Sequence, residues 1–135
     1  MIVSSLIRAK LAVAVALLAA CLDPAAPPAD AYALIPPPEY RAAWQQVEDC
    51  SGLRGDFSRV RWFAVPGHRF LCSVGWCDGL WTPPHNIYIS EEQALNSDNN
   101  DYFIARHEML HDLLQVPGHP QAFCTCDLWR SGCDP

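Results

Sequence analysis

The chain has 135 residues, which allows one domain and leaves little material for a second. Fifteen acidic residues outnumber nine Lys and Arg, so the chain lacks the basic surface that nucleic-acid binding requires. Seven cysteines are many for this length, and they indicate an oxidising compartment or a metal site.

The first twenty residues have the pattern of an export signal. Arg8 and Lys10 precede an uninterrupted apolar run from Leu11 to Ala20. This run is half as long as the roughly 20 residues that a membrane-spanning helix needs. We therefore expect residues 1–20 to be a signal peptide and the mature protein to be exported.

The signal ends in Leu-Ala-Ala-Cys, a sequence that resembles the lipobox of bacterial lipoproteins. The resemblance implies cleavage before Cys21 and acylation of its thiol. Several acyl chains on one residue would anchor the protein stably at a membrane surface of the cell envelope. The alternative is ordinary cleavage after Ala31 or Ala33, which would discard Cys21 and give a secreted protein.

A segment rich in alanine and proline follows the signal. Six of the twelve prolines lie between Asp23 and Pro38. Such a composition is typical of an extended tether and not of a packed domain. We expect residues 21–38 to comprise the lipidated Cys21 and this tether, and residues 39–135 to form the folded domain.

The first half of the domain carries patterns for one helix and several strands. Apolar residues recur every three or four positions after Pro38, which predicts an amphipathic helix that ends at Gly52. Short strands are expected where β-branched and aromatic residues cluster between turn signals, at Val60–Val65, Phe70–Val74 and Asn86–Ile89.

The second half is predicted to be helical. The sequence from Ser90 to Gln93 matches a capping box and predicts a short helical turn. A stronger helix is expected from Tyr102 to about Gln115, with Asp101 as its N-cap. The predicted fold class is therefore α+β, with a short twisted sheet of three to four strands packed on this last helix.

The predicted helix contains the sequence His-Glu-Met-Leu-His, which is the HExxH pattern. At about 100° per residue, His107 and His111 lie one turn apart on the same face, so both imidazoles can bind one ion. Glu108 lies where it can reach a water at the metal without ligating the metal itself. The alternative is a pair of core histidines bonded to backbone carbonyls.

A catalytic zinc needs a third protein ligand and an open position for water. His119 is the leading candidate, because the preceding Pro-Gly pair ends the helix and lets the chain turn back. The alternative for this histidine is a solvent-exposed turn. Asp112 and Asp127 are less well placed to be the third ligand, and His85 and His68 are further candidates.

The strand Asn86–Ile89, the following loop and the HExxH helix together resemble the zincin metallopeptidases. The segment from His107 to His119 is similar to a divergent metzincin pattern, in which a glycine turn presents a third histidine. In this chain Leu114 stands at the usual glycine position and the last histidine comes two residues later. The resemblance implies a compact zincin-like domain in which Asn86–Ile89 borders the cleft and pairs with an extended peptide.

The predicted function is zinc-dependent hydrolysis of a peptide or protein substrate. Zn²⁺ on His107, His111 and His119 lowers the pKa of a water, and Glu108 takes its proton. Tyr88 and Tyr102 are candidate donors to the oxyanion, with core packing as their alternative. The competing hypothesis is a non-catalytic, metal-binding surface lipoprotein that acts as a protein-binding module.

Six cysteines remain when Cys21 is set aside, and an even number in an exported domain predicts three disulfides. Cys72 and Cys77 are spaced to close a short hairpin. A bond from Cys50 to the C-terminal trio would tie the first helix to the tail. The sequence does not choose among the pairings, and the trio has a second metal site as its alternative, on Cys124, Cys126 and Cys133.

Overall fold

The computed structural model describes residues 26–95, 102–129 and 132–133. The predicted signal peptide, the predicted lipidation site Cys21 and the predicted helix cap Asp101 lie outside these ranges. Within them, none of the helices combines the length and the apolar character that crossing a membrane requires.

The described residues form six strands and four α-helices. The strands are β1 (Tyr32–Ala33), β2 (Arg61–Val65), β3 (Phe70–Cys72), β4 (Gly75–Cys77), β5 (Gly79–Thr82) and β6 (Asn86–Ser90). The helices are α1 (Glu39–Ser51), α2 (Glu91–Leu95), α3 (Phe103–Leu114) and α4 (Ala122–Thr125). The fold class is α+β, as predicted.

Four strands form one mixed sheet in the order β1-β2-β6-β5. The inner strands β2 and β6 are parallel, whereas β1 and β5 run antiparallel to their neighbours and form the two edges. Ile87 and Ile89 of β6 are fully buried, which fits an inner strand. β3 and β4 form a separate antiparallel hairpin.

The main core lies between this sheet and the helices α1 and α3. Helix α1 buries the apolar face that the periodicity predicted, including Tyr40, Trp44 and Val47. It ends at Gly52, which has a positive φ of 73° and donates its N–H to the carbonyl of Glu48. Glycine has no Cβ, so it adopts this left-handed conformation without steric cost and is a common residue at the end of a helix.

The folded domain begins before Glu39, the predicted boundary. Tyr32 and Ala33 pair with β2, and the Tyr32 hydroxyl donates to the Glu91 carboxylate at 2.7 Å. The prediction of a tether as far as Pro38 therefore differs from the structure over this stretch. The reason is that an edge strand needs backbone bonds on one side only, which an alanine-rich segment can supply.

Two strands that the sequence did not predict, β4 and β5, each begin with a glycine. Gly75 and Gly79 weaken the strand pattern because glycine has low strand propensity. The predicted capping box also differs from the structure. Ser90 ends β6, and its hydroxyl is buried without a hydrogen-bond partner among the described residues, so α2 begins without a serine cap.

Three disulfides are present, as the cysteine count predicted, and they join Cys50 to Cys126, Cys72 to Cys77 and Cys124 to Cys133. The first ties α1 to the tail, and the second closes the β3–β4 hairpin. The alternative of a second metal site on the three C-terminal cysteines is not realised, because all three are disulfide-bonded.

Replacing both Cys50 and Cys126 by Ala should destabilise the domain more than replacing both Cys72 and Cys77. The first bond spans 76 residues and the second spans 5. Loop-closure entropy then predicts losses of about 4 and about 2 kcal/mol in the free energy of unfolding. Urea denaturation of both double variants measures the difference, and equal losses would contradict the entropic explanation.

Candidate metal centre

The predicted histidines come together beside α3. Ligand atoms of His107, His111 and His119 all lie within 4.8 Å of one another. The Nε2 atoms of His107 and His119 are 3.0 Å apart, and the ring centroid of His119 lies 4.9 Å from each of the other two. These three residues can hold a metal ion.

The second nitrogen of each helical histidine has a fixed backbone partner. Nδ1 of His107 donates to the carbonyl of Leu128 at 2.7 Å, and Nδ1 of His111 donates to the carbonyl of Val116 at 2.8 Å. A proton held at Nδ1 leaves the lone pair on Nε2 free to face the cluster. The histidines are therefore bonded to backbone carbonyls, as the alternative predicted, but only through Nδ1. Nε2 of each ring remains available to a metal ion.

The environment also favours neutral imidazoles. Burial lowers the pKa of His107 and lowers that of His111 to about 4, in each case against a smaller upward effect of the carbonyl bond. Burial lowers the pKa of His119 as well. A metal ion competes with protons for imidazole nitrogen, so three neutral rings at pH 7 are ready ligands.

Two aromatic residues of the C-terminal segment pack against the three rings, of which His119 is exposed. Phe123 is fully buried, and its centroid lies 4.6 to 4.9 Å from the centroid of each imidazole. Trp129 stacks on His119 with the centroids 3.7 Å apart. Sequence reasoning did not assign these two residues to the site, because they lie in a tail whose position depends on long-range packing and on disulfides.

Glu108 is 6% exposed and lines the same two cavities as His107. Burial raises the pKa of its carboxyl to about 8, and a hydrogen bond from the backbone N–H of Trp81 acts in the opposite direction. A Cβ at Gly79 would lie 2.6 Å from Oε1 of Glu108, so the absence of a side chain there gives the carboxylate its place. The sequence contained no signal for this requirement.

Two cavities meet at His107 and Glu108. The larger has a volume of about 380 Å³ and also borders His111, His119 and the tip of the β3–β4 hairpin. The smaller, of about 260 Å³, lies towards the start of α3. Gly79 borders both, so the cleft follows the edge strand β5.

The strand that borders the cleft is β5 and not Asn86–Ile89, which the zincin resemblance implied. Asn86–Ile89 belongs to β6, and β6 is paired on both sides, so it has no free edge for a peptide. The N–H of Ser90 donates to the carbonyl of Asp78, which sets the ladder of β5 and β6. The backbone groups of Gly79 and Trp81 therefore point away from β6, where the N–H of Trp81 bonds Glu108.

The two tyrosines considered as oxyanion donors lie among packing residues. Tyr88 stacks on Phe63 with the centroids 4.8 Å apart, in a small cluster that is separate from the main core. Tyr102 packs edge-on against Tyr40. Neither is among the residues that border the two cavities.

The other candidate metal ligands lie outside the three-histidine cluster. Nδ1 of His68 contacts the exposed carboxylate of Glu92 at 3.0 Å, and Nδ1 of His85 contacts the carboxylate of Asp112. Asp127 is exposed in the tail. The structure thus brings His119 to the site and leaves the other candidates elsewhere.

Comparisons with protein-family models, with curated proteins and with solved structures find no match to this chain. The zincin resemblance therefore rests on the HExxH pentapeptide. The capacity of the histidines to hold a metal ion is independent of any relative, because it follows from the positions of their donor atoms.

Replacing His119 by Ala should weaken Zn²⁺ binding by at least about tenfold. The variant loses one of three ligands, and even the loss of a residue that only orients a ligand costs about that much affinity. Chelator competition on the disulfide-bonded protein measures the dissociation constant. His68→Ala is the control, because that ring is exposed and outside the cluster. Equal affinities of both variants would place the third ligand elsewhere.

Replacing Gly79 by Ala should cost about 1–3 kcal/mol of unfolding free energy, because the new methyl group overlaps Glu108 and Ile104. Gly118→Ala is the matched control, since a Cβ there meets no atom within 4 Å. Urea denaturation compares the two. A neutral Gly79→Ala variant would show that the carboxylate can be placed differently.

Proposed function

We propose that this protein is a zinc-dependent peptidase with a zincin-like site. The observation that carries the proposal is the convergence of three imidazoles beside a buried glutamate, at the open edge of a sheet. A structural metal site would need no adjacent carboxylate. Glu108 and the cleft along β5 together favour hydrolysis over metal storage.

The donor set suits zinc. Three neutral imidazoles are borderline-soft ligands, and an all-histidine set of three is typical of catalytic zinc sites that keep one position open. When bound there, Zn²⁺ supplies a Lewis acid and lowers the pKa of a water towards neutrality. The remaining steps belong to residues of the chain.

Glu108 acts as the general base in this proposal, in its ionised form, because the raised pKa belongs to the metal-free site and a cation held by the three histidines would favour the carboxylate. Its carboxylate accepts a proton from the attacking water, and the same proton is then available to the amine that leaves. The backbone N–H of Trp81 and the missing side chain of Gly79 hold the carboxylate in its place beside His107.

The substrate is proposed to be an extended polypeptide. The edge strand β5 directs backbone groups of Gly79 away from β6, where an added strand would find them. Strand addition of this kind needs backbone bonds and little sequence specificity. The apolar walls of the larger cavity, which include Leu80, would accept a neighbouring side chain.

Export and lipid anchoring are part of the same proposal. Three disulfides form and persist in an oxidising compartment. Cleavage after Ala33 would remove β1 from the sheet, whereas cleavage before Cys21 or after Ala31 would retain it. The sheet therefore argues only against cleavage after Ala33, and the lipidated form, which would hold the peptidase at a membrane surface, rests on the lipobox resemblance.

A second candidate is a non-catalytic metal-binding module for another protein. The observation that favours it is the outer face of the β3–β4 hairpin, where Leu71, Val74 and Trp76 are 66%, 88% and 64% exposed. Adjacent exposed apolar side chains are typical of interaction sites. This candidate predicts metal binding without turnover.

Replacing Glu108 by Gln should preserve zinc and lower peptide turnover by a factor of about 10²–10⁴, the usual contribution of a general base. The full exported chain, purified without chelator, is assayed with a quenched fluorogenic peptide library, and its zinc content is measured by elemental mass spectrometry. Glu92→Gln is the control, because Glu92 lies on α2 and pairs with His68.

The two readouts separate the candidates. One zinc per chain with turnover that depends on Glu108 supports the peptidase. One zinc per chain without turnover in the parent favours the binding module. A folded chain that takes up no zinc overturns both.

A further inference from the structure

We propose that Asp112 is a positioning residue for the metal centre and acts through Trp81. The inference rests on the metal centre that the proposed function uses, and it does not depend on peptidase activity. Asp112 follows His111 on α3 and is 5% exposed, so it faces the interior of the domain.

The carboxylate of Asp112 has partners on both oxygens and is not free to act as a ligand. Oδ1 accepts a hydrogen bond from Nε1 of Trp81 at 2.9 Å. Nδ1 of His85 lies 3.2 Å from Oδ1 and 3.1 Å from Oδ2. A buried carboxylate is costly unless it is bonded in this way, so these contacts fix its orientation.

Trp81 connects this carboxylate to two residues of the site. Its indole lies nearly parallel to the ring of His111, with an interplanar angle of 16° and centroids 6.3 Å apart. Its backbone N–H bonds the carboxylate of Glu108. One residue of β5 thus contacts both a metal ligand and the general base.

The strand that carries Trp81 has an edge that faces away from β6, and α3 packs against the strand. β5 is an edge strand, so the sheet holds it on the side of β6 only. The bond from Trp81 to Asp112 ties β5 to α3. A second bond, from Nε2 of Gln115, the residue after α3, to the carbonyl of Pro84 at 2.8 Å, ties the end of α3 to the turn that follows β5. We infer that the first of these bonds sets the position of Trp81 against His111.

The test compares Asp112→Ala, Asp112→Asn and Trp81→Phe in the full, disulfide-bonded chain. The readouts are the Zn²⁺ dissociation constant and the visible absorption spectrum of the Co²⁺-loaded protein, which reports ligand geometry. Asp112→Ala and Trp81→Phe should each weaken Zn²⁺ binding by about tenfold, the lower end of the range for residues that orient a ligand, and alter the Co²⁺ spectrum.

Further variants distinguish positioning from stability. Asp112→Asn retains an acceptor for Nε1 of Trp81, so its loss should be smaller than that of Asp112→Ala. The double variant of Asp112→Ala with Trp81→Phe should be no worse than the single variants, since both break one bond. Parental affinity and spectrum in either single variant would overturn the inference.

The chain offers matched controls for both residues. Trp62 is equally buried, but its Nε1 has no hydrogen-bond partner among the described residues, so Trp62→Phe removes an unbonded indole N–H. Asp49→Asn removes a charge from an exposed pair with Arg54. Both controls should keep the affinity and the spectrum, and losses equal to those of Trp81→Phe and Asp112→Ala would overturn the inference.

The outcome is separable from that of the proposed function. A parent that binds zinc but cleaves no peptide removes the peptidase and leaves this inference open to the same comparison of affinities. Where Asp112→Ala does not fold, Trp81→Phe decides. In a parent without zinc affinity, the proton NMR shifts of the His111 ring report the position of the parallel Trp81 indole through its ring current, and shifts unchanged by Asp112→Ala would overturn the inference.

Discussion

The site depends on two hydrogen bonds from imidazole to backbone. His107 and His111 each donate Nδ1–H to a carbonyl, at Leu128 and Val116, and this turns both Nε2 atoms towards His119. Without these acceptors each ring could flip or adopt the other tautomer, and the three nitrogens would no longer face one point. Val116 comes directly after α3, whereas Leu128 reaches His107 only through the packing of the tail.

The tail supplies the acceptor for His107, and disulfides hold the tail. Leu128 and Trp129 lie between Cys126, which is bonded to α1, and Cys133, which is bonded to Cys124. A domain this small buries limited apolar area, so cross-links are an effective way to fix a segment that has little regular structure. The three-histidine cluster and the oxidised state of the cysteines are therefore linked physically.

The sheet contributes to the site through its open edge. β5 brings Gly79 against Glu108 and Trp81 against both Glu108 and His111. A glycine permits the close approach, and a tryptophan anchored by Asp112 fixes the distance between strand and helix. The same edge leaves backbone groups unpaired by β6, so the features that place Glu108 also create the groove beside it.

The sequence by itself determined the parts of the fold and site that depend on local spacing. Helical periodicity placed α1 and α3, the HExxH pattern placed His107 and His111 one turn apart, and an even cysteine count predicted three disulfides. The sequence could also nominate His119, because a Pro-Gly turn precedes it. Local geometry decides such features, and it is encoded within a few residues.

Only the tertiary structure decided which strand borders the cleft, which carbonyls orient the imidazoles and what Asp112 contacts. It also extended the domain to β1, within a segment whose composition predicted a tether. These features join residues far apart in the chain, such as Trp81 with Asp112 and His107 with Leu128. Long-range contacts depend on how elements pack, and the pattern of a single segment contains no information about its partner.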